Sequence, residues 1–269
     1  MMRKLVFVGI LLLAMSGLAL AQDFPKYEVF GGYSYLRSDL NSRSMAEYYG
    51  NEFGAAGNIN GFEGSFTYNL NKWLGIKADF SGHFGSDKVD NTYNYSEQEY
   101  DSYSGDYYGT YNEKYVTKGT VQVHQYTMLF GPEFSFRSKG KLRPFAHVLF
   151  GFSRVDAHKI NVNYNDAYGW VNENQSQEIG KLTGNFSSTG FAMALGGGLD
   201  INVNKKLAIR LAQIDYMPTW IEINAKTTDN YDQYSNATYQ ESYTKTETIK
   251  IPSDRYNNIR ISAGIVFKF

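Results

Sequence analysis

Hydrophobic and polar residues alternate with a period of two along several segments of the chain. In the clearest one, Phe62, Phe66 and Tyr68 alternate with Glu63 and Thr67. Residues two apart on a β-strand share a face, so this period predicts strands with one apolar face. It places them at about 26–37, 60–70, 73–84, 121–136, 142–155, 189–203, 207–216 and 256–269.

The connections between the predicted strands alternate between two lengths. Short turns at 71–72, 137–141 and 204–206 follow the second, fourth and sixth strands, and every other connection takes roughly 20 to 40 residues. A soluble sandwich also has alternating faces, but it has no reason to lengthen every second connection. The layout predicts an all-β fold, a closed antiparallel up-and-down transmembrane β-barrel of eight strands. Ten strands remain an alternative, if Gly105–Thr120 and Gly169–Leu182 each hide a further strand.

The N-terminus has the build of a secretory signal peptide. Arg3 and Lys4 precede an apolar run from Leu5 to Leu20, which ends in the small-residue pattern Ala19-Leu20-Ala21. We expect 1–21 to be the signal peptide, with cleavage before Gln22, and 22–269 to be one barrel domain. An N-terminal membrane anchor is the alternative. The chain has no cysteine, which excludes a cysteine-linked lipid and disulfides.

Composition and charge narrow the possible partners. The formal net charge is −1, so the clustered Lys and Arg that bind phosphates are not indicated and no nucleic acid partner is expected. Aromatic residues make up 16% of the chain, with 26 Gly and 5 Pro, although the mean hydropathy is −0.43. The expected partner is outer-membrane lipid, at whose interfaces aromatic residues form girdles. The predicted girdle members are Tyr68, Trp73, Phe84, Phe134, Phe136 and Trp220.

The polar faces of the predicted strands carry charges of both signs. An eight-stranded barrel is just wide enough to be filled by its own side chains, so charges inside it must pair with one another or with trapped water. We therefore predict a structural charge network in the lumen, rather than a catalytic or conducting site. Its predicted members are Glu63, Lys77, Asp79, Glu133, Arg143, Asp200, Arg210 and Arg260.

The last strand and two turn regions carry a resemblance to a known family. Apolar residues occupy every second position from Ile261 to Phe269, and 71–80 and 196–200 look like turn-and-strand pieces of the same kind. The chain resembles the small outer-membrane barrels typified by the OmpA transmembrane domain. The resemblance implies an outer-membrane location, and recognition by the barrel-assembly machinery through an assembly signal at Ile265, Phe267 and Phe269. No separate peptidoglycan-binding domain of the OmpA kind is expected.

The long connections are rich in Tyr, Asn, Ser and acidic residues, as in 89–118 and 229–248. Tyr with Ser and Asn suits adaptable binding surfaces, which indicates adhesion or contact with an extracellular ligand. The alternative is that the strands continue beyond the membrane as hairpins, with Tyr serving as a β-former. The main hypothesis is a structural or surface-interaction role, with both termini in the periplasm. Narrow porin-like passage of small solutes is the second hypothesis.

Candidate chemistry in the sequence is sparse. The four histidines are His83, His124, His147 and His158, and none lies in a nucleophile motif or at a metal-ligand spacing. We expect no cofactor, no metal and no enzymatic activity. A lipid-modifying enzyme with a Ser-His-acid site assembled across strands is the third hypothesis, because such a site leaves no trace in spacing.

Overall fold

The chain forms one closed ring of antiparallel strands. The computed structural model describes residues 24–39, 57–100, 107–137, 140–170, 176–235 and 239–269; the predicted signal peptide lies outside them. Each strand pairs with its neighbours in sequence, and β1 closes the ring on β8, from Glu28–Lys268 to Arg37–Ile259. The strands are β1 Tyr27–Arg37, β2 Asn58–Asn69, β3 Leu74–Tyr100, β4 Tyr107–Ser135, β5 Leu142–Trp170, β6 Ser176–Asn202, β7 Leu207–Ser235 and β8 Tyr239–Lys268.

The prediction of an eight-stranded barrel is confirmed, whereas several predicted strand ends are wrong. The strands β3 to β8 run far past the predicted ends, so the described parts of three of the long connections are paired antiparallel strands. The two segments suspected of hiding extra strands extend β4, β5 and β6 instead, so the ten-stranded alternative is wrong for the described residues. Tyr, Thr and Val keep β-propensity high in these segments although they bury little.

The extension beyond the barrel is called the hairpin wall here. It comprises 85–100, 107–120, 158–170, 176–186, 222–235 and 239–254, and it is built from β3 to β8 only. β1 ends at Arg37 and β2 begins at Asn58, so these two strands contribute nothing to it. Among the described strands, the wall is therefore a curved six-stranded sheet that continues one side of the barrel.

Asparagines shape two of the short turns at the opposite end. The side-chain oxygen of Asn71 accepts the backbone N–H groups of Trp73, at 2.9 Å, and Leu74, at 2.8 Å. Asn204 accepts the N–H of Lys206 at 2.8 Å in the same way. Such Asx turns satisfy backbone donors that the strand ladder cannot reach, which explains why the sequence can reverse direction within so few residues.

The outer surface of the barrel is apolar. Large side chains such as Phe130, at 59% exposed, and Phe152, at 50%, point away from the interior. Trp73 stacks on Phe134 near the short turns, and Phe191 contacts Trp220 near the hairpin wall, at ring-centroid distances of 6.2 and 5.5 Å. Water would penalise so much exposed apolar area, whereas the hydrocarbon of a bilayer does not. The part of the chain that the structure describes contains no helix long and apolar enough to cross a membrane.

A β-bulge in β7 changes which residues face inward. Arg210 pairs with Gly264 of β8 and Gln213 pairs with Ser262, so β7 holds one more residue than its partner over this stretch. Ala212 was predicted to share the inner face with Arg210, but it is exposed. The extra residue reverses the alternation, and Gln213 and Asp215 turn into the lumen.

Candidate functional site

The structure buries all eight of the charged side chains predicted for the lumen. Further charged side chains share the interior with them: Glu28, Arg137, Asp215 and Lys268. Carboxylates and cations in this combined set are equal in number, which is what a dry, narrow lumen requires. The carboxylates are Glu28, Glu63, Asp79, Glu133, Asp200 and Asp215, and the cations are Lys77, Arg137, Arg143, Arg210, Arg260 and Lys268.

Arg260 is the centre of the first cluster, in the middle of the barrel. Its Nη1 lies 2.7 Å from Asp79 Oδ1 and its Nη2 lies 2.6 Å from Asp215 Oδ2. Its Nε lies 3.4 Å from Glu63 Oε2. Lys77 adds a second cation, 3.4 Å from Asp79 and 3.7 Å from Glu63. Three carboxylates thus share two cations, and each fully buried charge has an opposite charge in contact.

The second cluster lies toward the short turns. Arg143 Nη2 is 2.6 Å from both Glu28 Oε2 and Asp200 Oδ2. Arg210 Nε donates to Asp200 Oδ1 at 2.9 Å. Arg137, in the turn after β4, contacts the other oxygen of Glu28 at 3.1 Å. The same guanidinium reaches Glu133 at 3.2 Å, so the turn is tied to the lumen.

Gln213 joins the two clusters. Its Oε1 accepts from Arg210 Nη1 at 2.7 Å, and its Nε2 donates to Glu63 Oε1 at 2.9 Å and Asp215 Oδ2 at 2.7 Å. An amide suits this position because it offers a donor to one cluster and an acceptor to the other. The result is one continuous hydrogen-bonded network through the lumen.

Aromatic rings and glycines set the shape of the lumen around these charges. The Arg210 guanidinium lies between the rings of Phe30 and Phe145, 4.3 and 4.1 Å from their centroids, a cation–π sandwich. A Cβ on Gly196 would lie 2.1 Å from Asp215 Oδ1, so only glycine leaves room for that carboxylate. His147, opposite Gly196 in the register, contacts the same carboxylate at 2.9 Å.

Sequence reasoning missed Gln213 and Asp215 for a specific reason. Strict alternation from Arg210 places Gln213 and Asp215 on the lipid face, and the residue types of Leu211 and Ala212 do not indicate a bulge. Two polar residues on the predicted lipid face of β7 were the one available signal. Glu28 was missed because both faces of β1 carry aromatic residues, which left the lipid face ambiguous.

An apolar cluster fills the lumen on the hairpin side of the network. Leu36, Ile59, Met217, Ile221 and Tyr256 are fully buried in one cluster there. Such side chains pack closely, and the buried polar side chains at the same level, Asn258 and Thr219, hydrogen-bond to each other at 3.1 Å. The lumen is therefore occupied along its length, by paired charges at one end and by apolar side chains at the other.

One serine–histidine contact lies inside the lumen. Ser34 Oγ and His83 Nε2 are 2.9 Å apart, and both residues are fully buried. His83 Nδ1 has no hydrogen-bond partner among the described residues, so no carboxylate orients the ring. Of the other two predicted histidines, His124 packs edge-on against Phe84, and the His158 side chain lies outside the described ones. No group of three potential metal ligands occurs in the described part of the chain.

The hairpin wall has two chemically different faces. A bulge between Ala157 and Ile160 in β5 shifts the alternation, so that Tyr164, Asp166 and Tyr168 continue the lumenal face. The same face carries further tyrosines and carboxylates, whereas the opposite face carries exposed lysines and asparagines. The described inner-face tyrosines are Tyr93, Tyr95, Tyr111, Tyr115, Tyr164, Tyr168, Tyr231 and Tyr243.

Comparison with known proteins gives likeness only at the level of the fold. Ail, the attachment invasion locus protein of Yersinia pestis, is 13% identical, with 90% of this chain and 97% of that chain covered and a TM-score of 0.35. OprG from Pseudomonas aeruginosa is 11% identical, with 93% and 98% covered and a TM-score of 0.36. Neisserial surface protein A is 12% identical, with 92% and 100% covered and a TM-score of 0.35. No protein-family model matches the sequence, and no curated protein matches it significantly.

The fold and its surface define the class of protein. A closed ring of eight antiparallel strands has an apolar exterior, aromatic residues toward both ends of the belt, a filled polar interior, short turns at one rim and long hairpins at the other. These are the features of small outer-membrane β-barrels. The chain is an integral outer-membrane protein of that class.

Replacing Arg260 tests the energetics of the network. Arg260→Met leaves Asp79, Asp215 and Glu63 without their main cation, and we expect the free energy of unfolding to fall by about 3–5 kcal/mol. Adding Asp215→Asn removes one of the stranded charges and should restore part of the loss. Urea unfolding in detergent micelles, followed by tryptophan fluorescence, measures both. The control is Arg154→Met at a half-exposed ion pair, where a loss below about 1 kcal/mol is expected. Equal losses at the two arginines would contradict the account.

Measuring the pKa of Asp166 tests whether the carboxylates of the hairpin wall lie close together. Burial, and then the carboxylates Glu113 and Glu178, raise the pKa of Asp166 to about 6 from 3.8. The folded wall then binds this proton more tightly than the unfolded chain, so the contribution of Asp166 to stability is full below about pH 4 and is lost as pH rises through about 6. A carbon-13 NMR titration of the carboxyl should show a midpoint near 6 that falls in Glu178→Gln. A midpoint near 4 would show that these neighbours do not meet.

Proposed function

We propose that this protein serves the outer membrane as a closed barrel that presents the hairpin wall outside the cell. Its role is structural and in surface interaction: the barrel anchors the protein in the membrane, and the wall contacts a ligand or another surface. The observation that carries the proposal is the division between a filled lumen and a wall whose inner face is lined with tyrosines and carboxylates. Tyrosines give contact area at low entropic cost, which suits adhesion or ligand contact.

The filled lumen argues against passage of solutes. A conducting pore needs a continuous hydrated path, but the network of Arg260 and Gln213 crosses the lumen and the apolar cluster around Met217 and Ile221 follows it. Moving ions through would require breaking pairs whose partners would then be buried and uncompensated. Narrow porin-like transport therefore stays the second hypothesis.

The contact between Ser34 and His83 does not support an enzyme. A serine nucleophile needs a base that a third group orients, and it needs access to substrate. Ser34 and His83 are both fully buried, so neither lipid nor solvent reaches them. Ser34 also hydrogen-bonds to Ser262 at 3.0 Å, and Ser262 contacts Glu63, which ties this polar group to the structural network. We infer a non-enzymatic role.

Export and insertion complete the proposal. Residues 1–21 act as a cleaved signal peptide, and the last strand acts as the signal for the barrel-assembly machinery. In support of the second point, Ile265 and Phe267 face the lipid, 45% and 49% exposed. The Phe269 N–H donates to the Tyr27 carbonyl at 2.9 Å, so the last residue takes part in closing the ring. The short turns, the start of β1 and the end of β8 then lie in the periplasm.

Planar-bilayer recording tests the proposed function. The protein, purified from outer membranes and reconstituted, should show no stable single-channel steps, because the lumen is filled by side chains. An open porin reconstituted in the same way is the control for insertion. Stable steps would make porin-like transport the leading function, and would direct substitution first to Lys77, Asp79, Arg210 and Arg260.

A further inference from the structure

Carboxylates lie on four neighbouring strands across the inner face of the hairpin wall. They are Glu113 on β4, Asp166 on β5, Glu178 on β6 and Asp229 on β7. Asp166 and Glu178 are directly opposite each other in the register. Three gaps of about 4.8 Å separate the four strands, and the groups are also offset along them, since Glu113 is opposite Tyr168 and Asp229 is opposite Leu182. Like charges opposite one another across a sheet destabilise it unless something compensates them.

Few hydrogen-bond donors of the described residues lie near these carboxylates. The Tyr164 hydroxyl lies 3.1 Å from Glu178 Oε1 and 3.0 Å from Asp229 Oδ2, but it has one proton to give. Gly180 makes this placement possible, because a Cβ there would lie 2.2 Å from the Tyr164 ring. Burial, Asp229 and Glu178 raise the pKa of Tyr164, so its hydroxyl stays a donor at neutral pH.

Cations of the described part of the chain compensate little of the negative charge of this row. No ion pair among the described side chains involves Glu113, Asp166 or Glu178, and Asp166 Oδ1 is buried without a hydrogen-bond partner there. Lys245 is opposite Asp229 in the register, but its ammonium contacts Glu247 at 2.7 Å. Positively charged groups from another molecule could therefore pair with these carboxylates.

Tyrosine rings flank the row on both sides. Tyr115 stacks with Tyr164 at a centroid distance of 6.2 Å, between the carboxylates of β4 and β5. Tyr231 stacks with Tyr243 at 5.1 Å on β7 and β8, and Tyr93 stacks with Tyr95 on β3. Ring faces attract ammonium and guanidinium groups, and attract them more when carboxylates stand nearby. Rings and carboxylates together cover all six strands of the wall.

The opposite face of the wall has the reverse charge. Its cations outnumber its described carboxylates, Asp90, Glu222 and Asp232, two of which pair with Lys118 and Lys250. The exposed cations of this face lie on β3, β4, β6, β7 and β8, and they are Lys88, Lys114, Lys118, Lys181, Lys226 and Lys250. Positive potential on one face and negative potential on the other would orient an incoming charged partner toward the inner face.

We propose that the inner face of the hairpin wall binds an extended, Lys- or Arg-rich segment of a partner protein. This deepens the proposed surface interaction by naming the class of partner, and it rests on that function. A polypeptide fits because the tyrosine and carboxylate surface extends over six strands, far beyond the reach of one small cation. A metal ion fits poorly, since the described residues hold no group of three suitable ligands.

The direct test is a binding titration with one peptide and two variants of the full chain. The protein is reconstituted in zwitterionic phosphocholine nanodiscs, and a fluorescein-labelled hexalysine peptide is added while fluorescence anisotropy is measured. We expect saturable binding at pH 7.5 that Asp166→Asn with Glu178→Gln weakens about tenfold or more. Both substitutions keep the side-chain shape and remove repulsion, so the wall should stay folded. Hexalysine with acetylated side chains should not bind.

The matched control removes the same charge from the other face. Asp90→Asn with Asp232→Asn lowers the negative charge equally, and binding should change less than twofold. Equal weakening by both double variants would show attraction to net charge without a site, and would overturn the proposal. So would absence of binding, or displacement of the peptide by millimolar Ca²⁺ alone. None of these results would bear on the closed lumen, which the bilayer recording tests separately.

Discussion

A ring of eight strands encloses a space that its own side chains must fill, and the rest of this structure follows from that constraint. The inward positions hold small, apolar and polar side chains, and the charged members of the two clusters each contact an opposite charge. Arg260 shows the consequence most clearly, because three carboxylates from β2, β3 and β7 converge on one guanidinium. The network thus joins strands that share no backbone hydrogen bonds, and it holds the ring in one register.

The same ring supports two chemically separate regions. Within the barrel the interior is closed by paired charges and by the apolar cluster around Met217, so the barrel interacts with lipid through its outside only. Above it, β3 to β8 continue as the hairpin wall, whose inner face carries half-buried tyrosines and carboxylates. The charges of the two lumenal clusters have ion-pair partners within the chain, whereas Glu113, Asp166 and Glu178 of the wall form no ion pair among the described side chains.

The fold was predictable from the sequence to a large extent, because alternation and connection lengths are properties of single strands. The eight strands and the lipid-facing side of 60–70 or 256–269 follow from them directly. The inward positions of Gln213, Asp215 and Asp166 were not predicted, because each lies beyond a bulge that reverses the alternation, and two polar residues on the expected lipid face of β7 were the one signal of it. A bulge depends on how two strands pair, and no local pattern around Leu211 or Ala157 records it. The length of the strands in the hairpin wall was also underestimated. These segments bury little apolar surface, so their hydrophobic and polar residues show no clear alternation.

The measurement that tests the closed, paired lumen most directly is hydrogen exchange at the arginine side chains, followed by nitrogen-15 NMR. The Arg260 guanidinium is fully buried among carboxylates, so its Nε–H should exchange with solvent far more slowly than that of Arg37, which is exposed. Slow exchange at Arg260, Arg210 and Arg143 together would establish that the network excludes bulk water. Exchange at Arg260 as fast as at Arg37 would show a hydrated lumen and contradict the account.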